Sequence, residues 1–258
     1  MSETSEEAME TSSEEAMEIS EPSIEHFATS TLPLFHGPLV KIHIQPSNRE
    51  YTISKNLLCG ESPVFSAMFE GSFRESQEQT ATLQEMEGVI SVQSIEALLQ
   101  WLYLRTIKFD LENPGEQLSA AIELARLADK YEITGIENQT AKYIKDTILH
   151  NQHPIVDDGT MLDIINRNTY WLEAGDIISG ILLHYGHPVR RALASASVGG
   201  FLQGKEYKFA GITQEYPKFG ADLLHEVGLA LNTLNESHRA IFKDPIGWRG
   251  SYLGRDWP

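Results

Sequence analysis

The first 30 residues constrain this chain most. They carry nine glutamates (Glu3, Glu6, Glu7, Glu10, Glu14, Glu15, Glu18, Glu21 and Glu25), and no Lys or Arg occurs before Lys41. Few large apolar side chains accompany that charge. Burial therefore cannot offset the ~1–2 kcal/mol per residue that ordering a backbone costs. Residues 1–30 read as a disordered acidic tail, and the fold has to be built from the residues beyond it. The tail also repeats itself, as Ser5-Glu6-Glu7-Ala8-Met9-Glu10 and Ser13-Glu14-Glu15-Ala16-Met17-Glu18. Thr4, Thr11 and Ser12 each have Glu three residues downstream. That pattern makes them phosphorylation candidates for an acidophilic kinase.

The tail accounts for much of the formal charge of −17, and without it the balance is −8. An acidic chain of this kind is a poor nonspecific ligand for nucleic acid or anionic membrane. With 41% hydrophobic and 22% charged residues over 258 positions, the chain can build a core of one or two domains. No apolar run approaches the ~18 residues that a membrane span requires. Cys59 is the one cysteine, so an intramolecular disulfide and a four-cysteine zinc site are excluded. Together with the missing basic leader, this leads us to expect an intracellular protein, cytoplasmic or nuclear, and not a secreted one.

From Leu39 the texture changes. Val40, Ile42 and Ile44 alternate with Lys41 and His43, a strand pattern, and Tyr51-Thr52-Ile53 reads as the returning strand. Ser54 and Ser62-Pro63 are helix starts, and Gly71 is a stop. Ala81-Thr82-Leu83 gives a third strand. Ser94 is expected to cap a helix whose Ile95, Leu98, Leu99 and Leu102 share one face, with another strand through Ile107 and Phe109. Helices follow around Leu118–Tyr131 and Ile136–Ile148. The expected class is α+β: a small sheet with packed helices over 37–149, then an α-helical extension over 155–242 and an irregular tail over 243–258. In the extension, helices are expected around Met161–Ile165, Ile177–Leu183, His187–Val198 and Leu223–Leu234.

Several stretches carry a family resemblance in the right order. They are Tyr51-Thr52-Ile53-Ser54-Lys55-Asn56-Leu57-Leu58, Ser62-Pro63-Val64-Phe65-Ser66-Ala67-Met68-Phe69, Phe73-Arg74-Glu75-Ser76, Trp101-Leu102-Tyr103 and Leu124-Ala125-Arg126-Leu127-Ala128-Asp129-Lys130-Tyr131. Together they resemble a BTB/POZ domain, and most of all those abundant in filamentous fungi. Gly186-His187-Pro188-Val189-Arg190-Arg191 resembles the region that follows the domain in that group. The resemblance implies a noncatalytic protein–protein interaction module that binds itself or another protein, with no cofactor. It implies pairing through the first helices and neighbouring strands, here the region from Val40 to Phe69, if Leu57, Leu58 or Met68 proves exposed. Animal-type members commonly carry Asp near the first strand and His before the first helix, where this chain has Pro38 and Ser54. The alternative role is a substrate adaptor on a cullin scaffold. Such adaptors often present a hydrophobic residue, any residue, then Glu; here that triplet aligns with Ile95-Glu96-Ala97. The glutamate position holds Ala97, so weak or absent cullin binding is expected, with Ala97→Glu strengthening it.

The chemistry-bearing residues do not assemble into a catalytic set. His184 with His187, and His150 with His153, have helical ligand spacing, yet Gly186, Pro188 and Pro154 interrupt the helices that spacing needs. Surface or capping roles fit them better. Gly199-Gly200 reads as a turn, and Cys59 lacks a neighbouring base. Arg190-Arg191 is far short of a nucleic-acid footprint, which ranks a transcription regulator third. An uncharacterised hydrolase is the alternative from a different class. A protein from which residues 1–30 are deleted is expected to melt within about 2 °C of the full chain, because few packed contacts leave with the tail. Calorimetry reads this directly, and a cooperative loss of structure would contradict it.

Overall fold

The computed structural model describes residues 27–152, 166–204, 207–232, 241–243, 245–246 and 250–252. Strand β1 (Leu39–Gln45) is the centre of a three-stranded mixed sheet. Its alternation is realised as Val40, Ile42 and Ile44, each at most 1% exposed, pointing into the core. Strand β2 (Arg49–Ser54) returns antiparallel on one edge, with Val40 opposite Ile53. Strand β3 (Thr80–Gln84) lies parallel on the other edge, with Ile42 opposite Ala81 and Ile44 opposite Leu83. A parallel partner needs a crossover. Here it is helical: α2 (Lys55–Glu61), α3 (Pro63–Glu70) and α4 (Arg74–Glu78), while α1 (Leu32–Phe35) precedes β1.

Capping chemistry sets the helix starts. The Leu57 N–H donates to Ser54 Oγ at 3.4 Å, and the Phe65 N–H donates to Ser62 Oγ at 3.0 Å. Ser62 Oγ also donates across the fold to the Tyr131 carbonyl. Phe65 stacks on the Tyr131 ring at 4.5 Å, so the start of α3 is fixed to the end of α6 (Pro114–Lys130). Helix α5 (Val92–Leu104) buries Ile95, Leu98, Trp101 and Leu102 as its spacing requires. Its cap is Ser91 rather than Ser94. The Ser94 N–H donates to Ser91 Oγ at 3.1 Å, and the Ser91 N–H donates to Ser94 Oγ at 2.9 Å, a reciprocal box that starts the helix earlier.

The expected strand through Ile107 and Phe109 does not form. The Lys108 N–H donates to the Gln100 side chain at 2.7 Å in place of a strand partner, and Phe109 packs edge-on against Tyr143 at 5.4 Å. Tyr143 belongs to α7 (Glu137–His150), which packs along α6.

The remaining described elements are a π-helical turn (Phe27–Thr31), which gives the last residues of the expected disordered tail a regular structure, a 3-10 turn (Arg167–Thr169), α8 (Ala174–Gly180), α9 (Pro188–Gln203), α10 (Ala210–Glu215), α11 (Pro217–Leu231) and the antiparallel pair β4 (Ile241–Lys243) and β5 (Gly250–Tyr252). The expected helix around Met161–Ile165 lies outside the described residues. Gly199 and Gly200 are buried within α9 and make no turn. Their missing side chains suit a helix with neighbours on several sides, because α9 packs on both α7 and α11. Helix α10 was not expected from periodicity. The irregular tail expected over 243–258 contains the strand β5 and the end of β4. One apolar core runs from Val40 in β1 to Leu223 in α11 and Ile246.

Ser62 is fully buried, and its hydroxyl both caps α3 and satisfies the Tyr131 carbonyl. Ser62→Ala is expected to destabilise the fold by about 2 kcal/mol, combining a lost cap with an orphaned buried acceptor. Urea unfolding measures this, and Ser62→Thr should recover most of it.

Candidate interaction surface

Most of the apolar residues that the sequence offers to a partner are used by the chain itself. Leu57 and Leu58 are 2% and 0% exposed. Ile95 and Ala97 are likewise buried on the inner face of α5. Glu96, between them, points outward and accepts a hydrogen bond from the Tyr51 hydroxyl at 2.6 Å. Burial and this carboxylate together push the Tyr51 hydroxyl pKa up to about 12. The burial of Ala97 corrects the expectation for Ala97→Glu. A glutamate there would be desolvated, so the substitution would report on folding rather than on binding. Ser91 and Ser94 already form the capping box at this end of α5.

Met68 is different. It lies half-buried on the outer side of α3, beside Val64 and Ala67. Phe73 stands 59% exposed just beyond the helix. With Pro63 these residues line a shallow depression of about 530 Å³, edged by Glu75 and Glu132. The chain turns sharply at Gly71. A Cβ at that position would lie 2.3 Å from the Ala67 carbonyl oxygen, so only glycine lets the chain turn here and carry Phe73 beside Met68. Phe73 belongs to one of the family-like stretches, yet its sequence pattern did not mark it as a contact residue. The signal available in the sequence was a large aromatic soon after a helix-stopping glycine.

The motif residues prove to be fasteners. The Trp101 Nε1–H donates to Gln139 on α7 at 2.8 Å, and the Arg105 guanidinium lies 4.4 Å from the indole ring. The Tyr103 hydroxyl accepts the Ser54 N–H at 2.9 Å.

The chemistry-bearing residues are dispersed. Burial and the nearby Glu70 push the Cys59 thiol up to about 11, which keeps it a neutral thiol. His184 contacts the Asp129 carboxylate at 2.7 Å. His187 is 1% exposed and caps α9 by accepting the Val189 N–H on Nδ1 at 3.1 Å. Arg190 and Arg191 pair with Asp222 and Glu226 at 2.8 and 3.0 Å. The i, i+4 spacing of Asp222 and Glu226 on α11 was the readable sign of that match. Among the described residues, no group of three or more His, Cys, Asp or Glu could hold a metal ion. Likewise, none of their helices is long and apolar enough to cross a membrane. Thr4, Thr11, Ser12 and His153 lie outside the described residues.

Residues 36–148 match the family model of the BTB/POZ domain. That segment, with its mixed sheet and packed helices, is a BTB/POZ domain, a protein–protein interaction module of a generally non-enzymatic family. A comparison with curated proteins gives no match for the chain.

Burial, followed by the neighbouring His184, lowers the His187 pKa from 6.5 to about 4. Nearby Asp129 and Glu137 oppose the shift, and Arg190 adds to it. Between pH 6.5 and about 4 the unfolded chain protonates this ring while the folded chain does not. Stability is therefore expected to fall as pH drops through that window, on the order of 1.4 kcal/mol for each pKa unit of depression. His187→Asn, which keeps a capping oxygen, should flatten this part of the pH–stability curve in urea titrations.

Proposed function

We propose that this chain is a noncatalytic protein-binding module whose BTB/POZ domain self-associates through the face formed by α3 and Phe73. The exposed Phe73 ring over the Met68–Val64 depression carries this reading. An exposed aromatic next to an apolar hollow is a typical binding anchor. Of the residues that the resemblance places at a pairing region, Met68 contributes to this face, while Leu57 and Leu58 are buried and offer a partner nothing. Family habit supports an intracellular location. The domain division is a sheet-bearing unit at 37–149 and an extension at 155–242, whose helix α9 packs on α7.

An adaptor role on a cullin scaffold ranks below self-association. In the aligned triplet, Ile95 and Ala97 are buried and Glu96 is held by Tyr51.

Sedimentation velocity over roughly the micromolar range tests the proposal, and concentration-dependent dimers are expected. Phe73→Asp should weaken them at least about tenfold, equivalent to ~1.4 kcal/mol, without lowering the melting temperature. Glu75 and Glu132 edge the depression, so added salt should tighten the dimer by screening them. A monomer throughout that range would remove self-association. A dimer indifferent to Phe73→Asp would remove this face.

A further inference from the structure

A second cavity lies on another part of the molecule, where α7, α9 and α11 meet the Pro245–Ile246 step. Its volume is about 400 Å³, and Ala141, Ala192, Leu229 and Ile246 give it an apolar lining. Its charged lining residues are Lys142, Lys145, Arg191 and Glu226. The side chains of Lys142 and Arg191 are 75% and 66% exposed. Lys145 makes no ion pair among the described residues.

The net positive charge of the rim rests on Lys145, because Lys142 is offset by Asp146 and Arg191 is offset by Glu226. The Glu226 side chain is 3% exposed, and its two oxygens already accept from Arg191 Nε at 3.0 Å and Ser195 Oγ at 2.6 Å. Lys142 shares Asp146 at 2.6 Å, on the same helix. An apolar cavity lined by three cations is out of keeping with a chain of formal charge −17. It fits an acidic peptide that carries one small apolar anchor. Its volume is at the low end of the ~300–1,000 Å³ usual for ligand pockets, enough for an unbranched side chain and its neighbour.

We propose that this cavity docks the chain's own N-terminal segment through its two Ser-Glu-Glu-Ala-Met-Glu repeats. Met9 or Met17 enters the apolar lining, and the flanking glutamates (Glu7 and Glu10, or Glu15 and Glu18) pair with Lys142, Lys145 and Arg191. Charge complementarity selects this occupant: nine glutamates without a cation on one side, and on the other a net-positive rim where Lys145 adds to the paired Lys142 and Arg191. Reach allows it. Met9 lies 18 residues before Phe27, a span of about 60–65 Å when extended, against roughly 45 Å across a compact fold of this size. Tethering keeps the local concentration near millimolar, so weak contacts suffice. Met17, 10 residues before Phe27, spans about 33–36 Å, so the first repeat is the one whose reach covers the whole width of the fold.

The test uses the full chain with Cys59→Ser and a nitroxide label on Ala8→Cys. Amide broadening by NMR is expected to concentrate on 141–145, 191–195 and 229–230, independent of protein concentration. It should disappear in about 0.5 M salt and in Lys142→Glu/Lys145→Glu. Met9→Ala/Met17→Ala should abolish it too, and that variant leaves every described residue untouched. Broadening spread over the whole surface, centred elsewhere, or indifferent to the methionines would overturn the proposal. So would broadening that grows with protein concentration, which assigns the cavity to a second copy's tail. Displacement by a Glu-rich peptide without Met as readily as by the repeat peptide would reduce the cavity to a nonspecific cationic patch and overturn it as well.

Discussion

Helix α9 is buried along most of its length, and the architecture behind the BTB/POZ domain depends on how it tolerates this. A helix with neighbours on several sides must be narrow and must neutralise its charges from within. Ala194, Ala196, Gly199 and Gly200 supply the narrowness against α7 and α11. Arg190 is the difficulty, with its side chain 5% exposed. Its guanidinium meets Asp222 at 2.8 Å and donates to the Leu183 carbonyl at 3.1 Å. Removing one member of such a pair strands the other in a low-dielectric interior, which costs about 3–5 kcal/mol. The pair therefore fixes the register of α11 against α9, and the position of α11 shapes one wall of the basic cavity.

Local chemistry was legible in the sequence wherever a short pattern decided it. The alternation of Val40, Ile42 and Ile44, the caps at Ser54 and Ser62, the stop at Gly71 and the face of Ile95, Leu98 and Leu102 all return in the structure. The ordered motifs identified the BTB/POZ domain for the same reason: they are the contacts that fasten it, such as Trp101 to Gln139 and Phe65 to Tyr131. The features that stayed hidden depend on partners distant in sequence. Phe109 looked like a strand residue because nothing nearby says that Tyr143 will cover it. Gly199-Gly200 looked like a turn because only a crowded helix gives paired glycines a packing role.

The candidate surfaces divide in the same way. Leu57, Leu58, Ile95 and Ala97 are apolar residues within family motifs, and a pattern alone cannot say which side of a helix faces water. Phe73 could be placed only once the Gly71 turn was seen to carry it outward. The basic cavity was hidden more deeply. Lys142 and Lys145 are ordinary residues of a solvated helix until α9 and α11 bring Arg191 and an apolar lining beside them.

The parallel pairing of β3 with β1 also governs what happens while the chain is being synthesised. β2 follows β1 after a short turn and can pair with it almost at once. The opposite edge of β1 waits for Thr80–Gln84, after the three crossover helices. At translation rates of about 5–20 residues per second, that edge stays open for seconds on each ribosome. An open, apolar strand edge is a template for pairing with a neighbouring nascent chain. The segment emerging just ahead of it carries nine like charges, and their mutual repulsion opposes that encounter while the edge is bare.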